Sequence, residues 1–231
     1  MAYRRRYRRR YRPRYRRRRY YRKASKYDGY WWQNFGQGAL TLTKVASKVA
    51  KIAGLVNTEF KQVNTSRSSA QDNSGTVTLL NALTQGDDFD NRGGRMVRFK
   101  SLEMRYIMTQ HASATNTQVR NIIFLDKTPS GSTPQILDLI TAVSLTAPRN
   151  LDNRKRFVIL KDWTVNLSSA GATNKSGKLY MPLDFKTAYD DSNAGTVADI
   201  ISNGLFIFQL SNEATNTPTV NHNIRLRFVD N

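Results

Sequence analysis

From residue 57 onward the chain is written in short runs that alternate apolar and polar side chains, separated by clusters of Gly, Pro, Asn, Asp and Ser. Val220, Ile224, Leu226 and Phe228 share one phase, and Asn221, Asn223, Arg225 and Arg227 the other. Trp163, Val165 and Leu167 alternate in the same way with Thr164 and Asn166. A two-residue period puts successive side chains on opposite faces of a strand, so these runs predict strands with one face buried. Eight are predicted, over 57–66, 76–83, 95–109, 118–126, 156–167, 178–185, 205–211 and 219–229. Within 95–109 the apolar phase moves from Val97 and Phe99 to Leu102, Met104 and Tyr106, which predicts a bulge or bend near Lys100–Ser101. Two short helical turns are also predicted. Thr133 and Pro134 suit N-cap and first helical position for Gln135 to Thr141, and Thr196 suits the start of a turn running to Ser202 and stopped by Asn203-Gly204. The pattern as a whole predicts an all-β domain over 57–231, an eight-stranded antiparallel jelly-roll sandwich.

Upstream the period changes. Over 39–56, Lys44, Lys48 and Lys51 follow helical spacing, with Leu42, Val45, Val49, Ile52 and Val56 elsewhere on the wheel. This predicts a short basic amphipathic helix. Such a helix can lie on a membrane surface or turn its lysines towards nucleic acid. The basic segment before it favours nucleic acid and leaves membrane contact a secondary activity.

Charge changes the picture most in residues 1–38. The formal net charge is +20, and residues 1–26 carry +15 of it, with thirteen Arg, two Lys and no acid. The remaining 22 basic residues face 17 acidic ones, an ordinary balance. Charge of that density repels itself and buries nothing, which predicts an arm that is disordered when free and bound to a polyanion in use. The predicted nucleic-acid-binding set is Arg4, Arg5, Arg6, Tyr7, Arg8, Arg9, Arg10, Tyr11, Arg12, Arg14, Tyr15, Arg16, Arg17, Arg18, Arg19, Arg22 and Lys23, with Lys44, Lys48 and Lys51 of the helix. Arg neutralises phosphates and releases counterions, while Tyr stacks on unpaired bases. The tyrosines recur every four residues from Tyr3 to Tyr15, but Pro13 interrupts any continuous helix. A localisation signal read by nuclear import receptors would use the same basic residues. Trp31 and Trp32 in the following linker suit packing under the domain or base stacking.

Catalytic constellations do not assemble. The absence of Cys excludes disulfides, thiol nucleophiles and zinc fingers, and His111 and His222 are the only histidines. His111 falls in a polar loop, whereas His222 shares the apolar phase of the last strand and reads as a satisfied core residue. Asp87, Asp88 and Asp90 offer clustered oxygens to a calcium ion, but Arg92 stands at the next ligand position of an EF-hand spacing, and an acidic turn explains them equally. No apolar run reaches the length that crosses a bilayer. The sequence therefore points to no enzyme, no metal and no cofactor.

Two segments carry a resemblance. The opening Met1-Ala2-Tyr3-Arg4-Arg5-Arg6-Tyr7 through Arg19 resembles the Tyr/Arg-rich start of capsid proteins of circular Rep-encoding single-stranded DNA viruses, the circovirus-like group. The segment Gln85-Gly86-Asp87-Asp88-Phe89-Asp90-Asn91-Arg92-Gly93-Gly94-Arg95-Met96-Val97 is similar to one seen in many of those capsids and in satellite plant viruses. Arg120 to Asp126 is similar to a strand of the same family. The resemblance implies a jelly-roll subunit of a T=1, 60-copy icosahedral shell, an inward arm on a single-stranded DNA genome, residence in the virion and host nucleus, and attachment to a host-cell receptor by exposed loops. A satellite-like coat around single-stranded RNA is the alternative it carries, and a non-viral basic nucleic-acid-binding protein stands further off.

Overall fold

The computed structural model describes residues 59–230; the arm, the amphipathic helix and the binding set predicted on them lie outside the described residues. In chain order the elements are β1 (Glu59–Ala70), β2 (Thr76–Leu79), β3 (Met96–Thr109), β4 (Asn116–Asp126), α1 (Ile136–Leu139), β5 (Phe157–Ser168), β6 (Asn174–Tyr189), β7 (Ile200–Ser202), β8 (Gly204–Ser211) and β9 (Thr219–Asp230). They form two antiparallel sheets. Sheet A runs β1-β9-β3-β6-β7 and sheet B runs β2-β8-β4-β5. Eight long strands crossing between two sheets in this order make a jelly roll.

All eight predicted strands are present, and β7 is an addition to them. It occupies the predicted turn after Thr196. The Thr196 backbone N–H and hydroxyl both donate to Asp199, but the turn ends there and Ile200–Ser202 pairs with the end of β6. Asn203 does stop the segment, in the left-handed conformation at φ 59°. The first predicted helix is shorter than expected. Gln135, not Thr133, is its N-cap, because the Asp138 carboxylate accepts the Gln135 N–H at 3.1 Å.

The predicted phase slip is a bulge. The pairing of β3 shifts between Phe99 and Ser101 against both β9 and β6, leaving Lys100 without an opposite number on β9. Val97 and Phe99 before it, and Leu102, Met104 and Met108 after it, therefore all reach the core. A second slip lies on β5 opposite Ile123 and Phe124.

The two sheets differ in what covers them. Between them lies the main core, with Phe99, Leu102, Ile123, Ile207, Leu226 and Phe228 at its centre. Sheet B is covered on its other face too: Ile122, Phe124, Phe206, Phe208 and Leu210 pack under Leu139, Ile140 and Ala147. Burial on both faces explains why every residue of β8 is buried and why its sequence, Leu205-Phe206-Ile207-Phe208, does not alternate. Arg120 latches this cover, donating to Asp162 at 2.7 and 3.1 Å and to the carbonyls of Leu145 and Ala147 at 3.1 and 2.8 Å. Sheet A carries no such layer among the described residues, and its outer face keeps the polar phase.

One end of the sandwich is tied by buried polar groups. Arg92 is fully buried; its guanidinium donates to the carbonyls of Leu83, Gly94 and Ser192 and stacks 4.6 Å from the Tyr189 ring. The Tyr189 hydroxyl donates to the Asn81 carbonyl at 2.7 Å, and burial pushes its ionisation well above the usual phenol range. Asp230 accepts the N–H groups of Gly93 and Gly94 and pairs with Lys61 at 3.7 Å.

The other departure is His222. It belongs to the core as expected but is not satisfied: neither ring nitrogen has a hydrogen-bond partner among the described residues, and only 2% of the residue is exposed. It lies directly opposite Arg67 of β1, whose guanidinium reaches Thr78 across the sandwich. Desolvation first, and the nearby Arg67 charge second, bring its pKa down to about 4.

Candidate nucleic-acid interface

The outer face of sheet A gathers the polar phase of four strands into one surface. Pairing sets Asn64, Ser66 and Ser68 of β1 beside Arg225, Asn223 and Asn221 of β9. The same residues of β9 lie beside Glu103, Arg105 and Ile107 of β3, which in turn face Tyr180, Lys178 and Ser176 of β6. Beyond the bulge the face continues through Arg98, Lys100, Asp184 and Lys186. Seven cations thus share a surface with two carboxylates, although their sequence positions run from 98 to 227.

Both carboxylates are already engaged. Glu103 accepts from Lys178 and Arg105, each at 3.2 Å, and from Arg227 at 3.4 Å. These partners, Lys178 foremost, hold its carboxyl below the usual carboxylate range. Arg98 grips Asp184 in a two-pronged pair at 2.6 and 2.7 Å, lowering the carboxyl and raising the guanidinium. The acids organise the cations without cancelling them. Arg105 and Lys178 remain 69% and 57% exposed, and Arg225 spends one N–H on Asn64 at 2.8 Å.

The surface is grooved. A shallow depression of about 440 Å³ is lined by Asn64, Ser66, Glu103, Arg105, Asn223 and Arg225. A second, of about 490 Å³, shares Arg105 and Asn223 and continues over Ile107, Ser176, Lys178 and Asn221. Beneath it, on the core side of the sheet, Gly177 stands opposite Tyr106: a Cβ there would lie 2.3 Å from the phenol, so the Tyr106 ring covers the glycine. Tyr180, 59% exposed beside Glu103, adds an aromatic face. Guanidinium and ammonium groups for phosphate, amides for base edges or sugar hydroxyls, and a ring for stacking are the groups that hold a single strand without reading its sequence.

Of the described residues singled out from sequence, Asn221, Asn223, Arg225 and Arg227 belong to this surface, with Lys100 at the bulge, and the alternation of the first four with Ile224, Leu226 and Phe228 was the signal. Arg105, Lys178, Lys186 and Asn64 were missed, since alternation shows that a side chain faces outward but not which strands lie side by side. His111 is in an exposed turn, its Nδ1 accepting the Ser113 N–H at 3.2 Å. Asp87, Asp88 and Asp90 are exposed on the β2–β3 loop, and no group of three or more His, Asp or Glu that could hold a metal ion occurs among the described residues. Arg92, in the segment that carried the resemblance, turns out to be a structural tie rather than a ligand-facing residue.

Comparison with known proteins adds the family. Residues 37–231 match the model of the satellite tobacco necrosis virus coat protein. The capsid protein of Satellite tobacco necrosis virus 1 is 32% identical over 131 residues, which span 55% of this chain and 65% of that protein. The coat protein of Maize white line mosaic Satellite virus is 26% identical over 156 residues, 66% of this chain and 71% of that one. The crystal structure of the 60-mer BFDV capsid protein is a remote likeness, with a TM-score of 0.31 and 9% identity over 75% of this chain and 92% of that chain. The satellite relatives, rather than the circovirus-like group, carry the detectable sequence identity. With most of its length matched by that one model, the chain belongs to the satellite tobacco necrosis virus coat protein family.

Proposed function

We propose that this chain is the coat protein of a satellite virus, that copies of it close a T=1 shell of sixty, and that the shell packages single-stranded RNA. The single observation that carries the binding part is the outer face of sheet A, where seven cations share a surface with two carboxylates that are already paired. Family membership supports the coat role and moves the cargo from DNA, which the circovirus resemblance implied, to RNA. Nuclear entry, import receptors and a host-cell receptor are not part of this reading. The basic arm, residues 1–26, and the sheet face each offer cations to a polyanion. Sixty arms of +15 present roughly 900 positive charges, enough to neutralise much of a small genome.

The test separates the two parts. Full-length protein is compared with a chain lacking residues 1–26 and with a variant carrying Arg105→Ala, Lys178→Ala and Arg225→Ala. Binding of a non-specific single-stranded RNA is followed across salt. Loss of three phosphate contacts lowers the slope of log affinity against log salt by about 2. A triple variant with an unchanged slope would remove the sheet face from the reading. Digestion of purified particles with ribonuclease or deoxyribonuclease identifies the cargo, and protected DNA would return it to the first expectation.

A further inference from the structure

The end of the sandwich tied by Arg92 bears two exposed loops of opposite charge. On the β2–β3 loop, Asp87, Asp88 and Asp90 surround Phe89, which is 61% exposed. No hydrogen bond or ion pair within the described residues engages the carboxylates of Asp87 or Asp90, and Asp88 accepts only from Asn91, at 3.2 Å. The β4–β5 connection exposes Lys127, Arg154 and Lys155, together with Asp152 and with Leu151, which is 62% exposed, and none of the three cationic heads has a partner among the described residues. The backbone joins the two regions at the same end. Gln85 donates to Asn193 at 3.1 Å, the Asn81 amide to Asn203 at 3.1 Å, Asn203 to Lys127 at 3.3 Å and Lys127 to Arg156 at 2.9 Å.

We propose that these loops are the two halves of a subunit contact: the acidic β2–β3 loop of one copy docks on the basic β4–β5 turn of a second copy. This rests on the coat-protein reading and names which surfaces meet. Three features argue for it. The charges are opposite in sign: three carboxylates on one loop, and on the other three exposed cations that outnumber the single exposed acid, Asp152. Each cluster surrounds one exposed large apolar side chain, so Phe89 and Leu151 can shield the ion pairs from water. Both lie at one end of a subunit without pairing to each other, so each is left for another molecule. A contact between two different patches is head-to-tail, and such contacts close into rings when the rotation permits. Isolated surface pairs contribute little, but opposed like charges are strongly unfavourable, so charge reversal is the sensitive probe.

Full-length chains are assembled on single-stranded RNA and the yield of closed particles is read by sedimentation. One variant carries Asp87→Lys, Asp88→Lys and Asp90→Lys; another carries Lys127→Glu, Arg154→Glu and Lys155→Glu; a third combines all six. Each triple set is expected to lower particle yield at least tenfold with an unchanged melting temperature, and the combined set, in which the signs are exchanged but complementary, to recover it. Triple variants that assemble like the wild type overturn the contact. So does a combined variant as defective as either triple while its melting stays unchanged. Wild-type protein that closes no particles is a different failure, that of the coat-protein reading, and takes this contact down with it.

Discussion

His222 shows how one residue can be placed correctly and read wrongly. Its phase in β9 marks it as buried, and buried it is, but alternation carries no information about what its nitrogens meet. With no partner for either nitrogen among the described residues and Arg67 opposite, the neutral ring is the form the fold accepts. Its folded pKa, about 4, lies below the ordinary value near 6.5, so between those values the unfolded chain binds more protons than the folded one. Stability is therefore complete above about pH 6.5 and declines as pH falls towards 4, by about 2 kcal/mol at pH 4.5. Urea midpoints across pH 7 to 4.5 check this, and His222→Met is expected to flatten that part of the profile. The paired carboxylates of Glu103 and Asp184 are lowered instead, so their contribution is lost only at more acid pH, below the ordinary carboxylate range. Arg92 makes a second residue-scale case. Arg92→Met leaves three carbonyls without their donor, at about 1–3 kcal/mol for each that stays dry, and is expected to cost at least about 3 kcal/mol in urea unfolding.

At the scale of elements, the strands were legible because most of them have one wet and one dry face. β3, β5 and β9 announce themselves by alternation, and even the β3 bulge is visible as a change of phase at Lys100. Lys100 is the extra residue: without it Val97, Phe99, Leu102 and Met104 would follow one regular alternation and pair with β9 without a break. Deletion of Lys100 is therefore expected to leave thermal unfolding cooperative, since every apolar residue of β3 keeps its face, and Lys100→Ala, which keeps the bulge, to stay within about 0.5 kcal/mol of the wild type. What alternation could not give was the burial of β8 on both faces and the cover over sheet B. A strand buried on both faces has no polar phase to read, and the Arg120 latch joins positions 120, 145, 147 and 162, which no local pattern connects. β7 escaped for a related reason: three residues are too few to show a period.

At the scale of the whole molecule, the basic face of sheet A is assembled from strands that are neighbours only after folding. The sequence disclosed the arm, a dense run needing no topology, and hid the face, which needs all of it. The face is expected to fail with the sheet. Gly177→Val, which drives a side chain into the Tyr106 ring, should lower stability by about 1–3 kcal/mol and weaken RNA binding by arm-truncated protein along with it, both read from one set of titrations. The position of β9 has one more consequence. This last strand is the second in sheet A, hydrogen-bonded to β1 on one side and β3 on the other, and Asp230 fastens it to Gly93 and Gly94. While the chain is being made, β1 and β3 must wait for a strand translated more than a hundred residues after them, so sheet A closes only once β9 has been made. The arginines at the start have by then long left the ribosome. On this timetable the densest run of positive charge in the sequence emerges long before the subunit has a face to present.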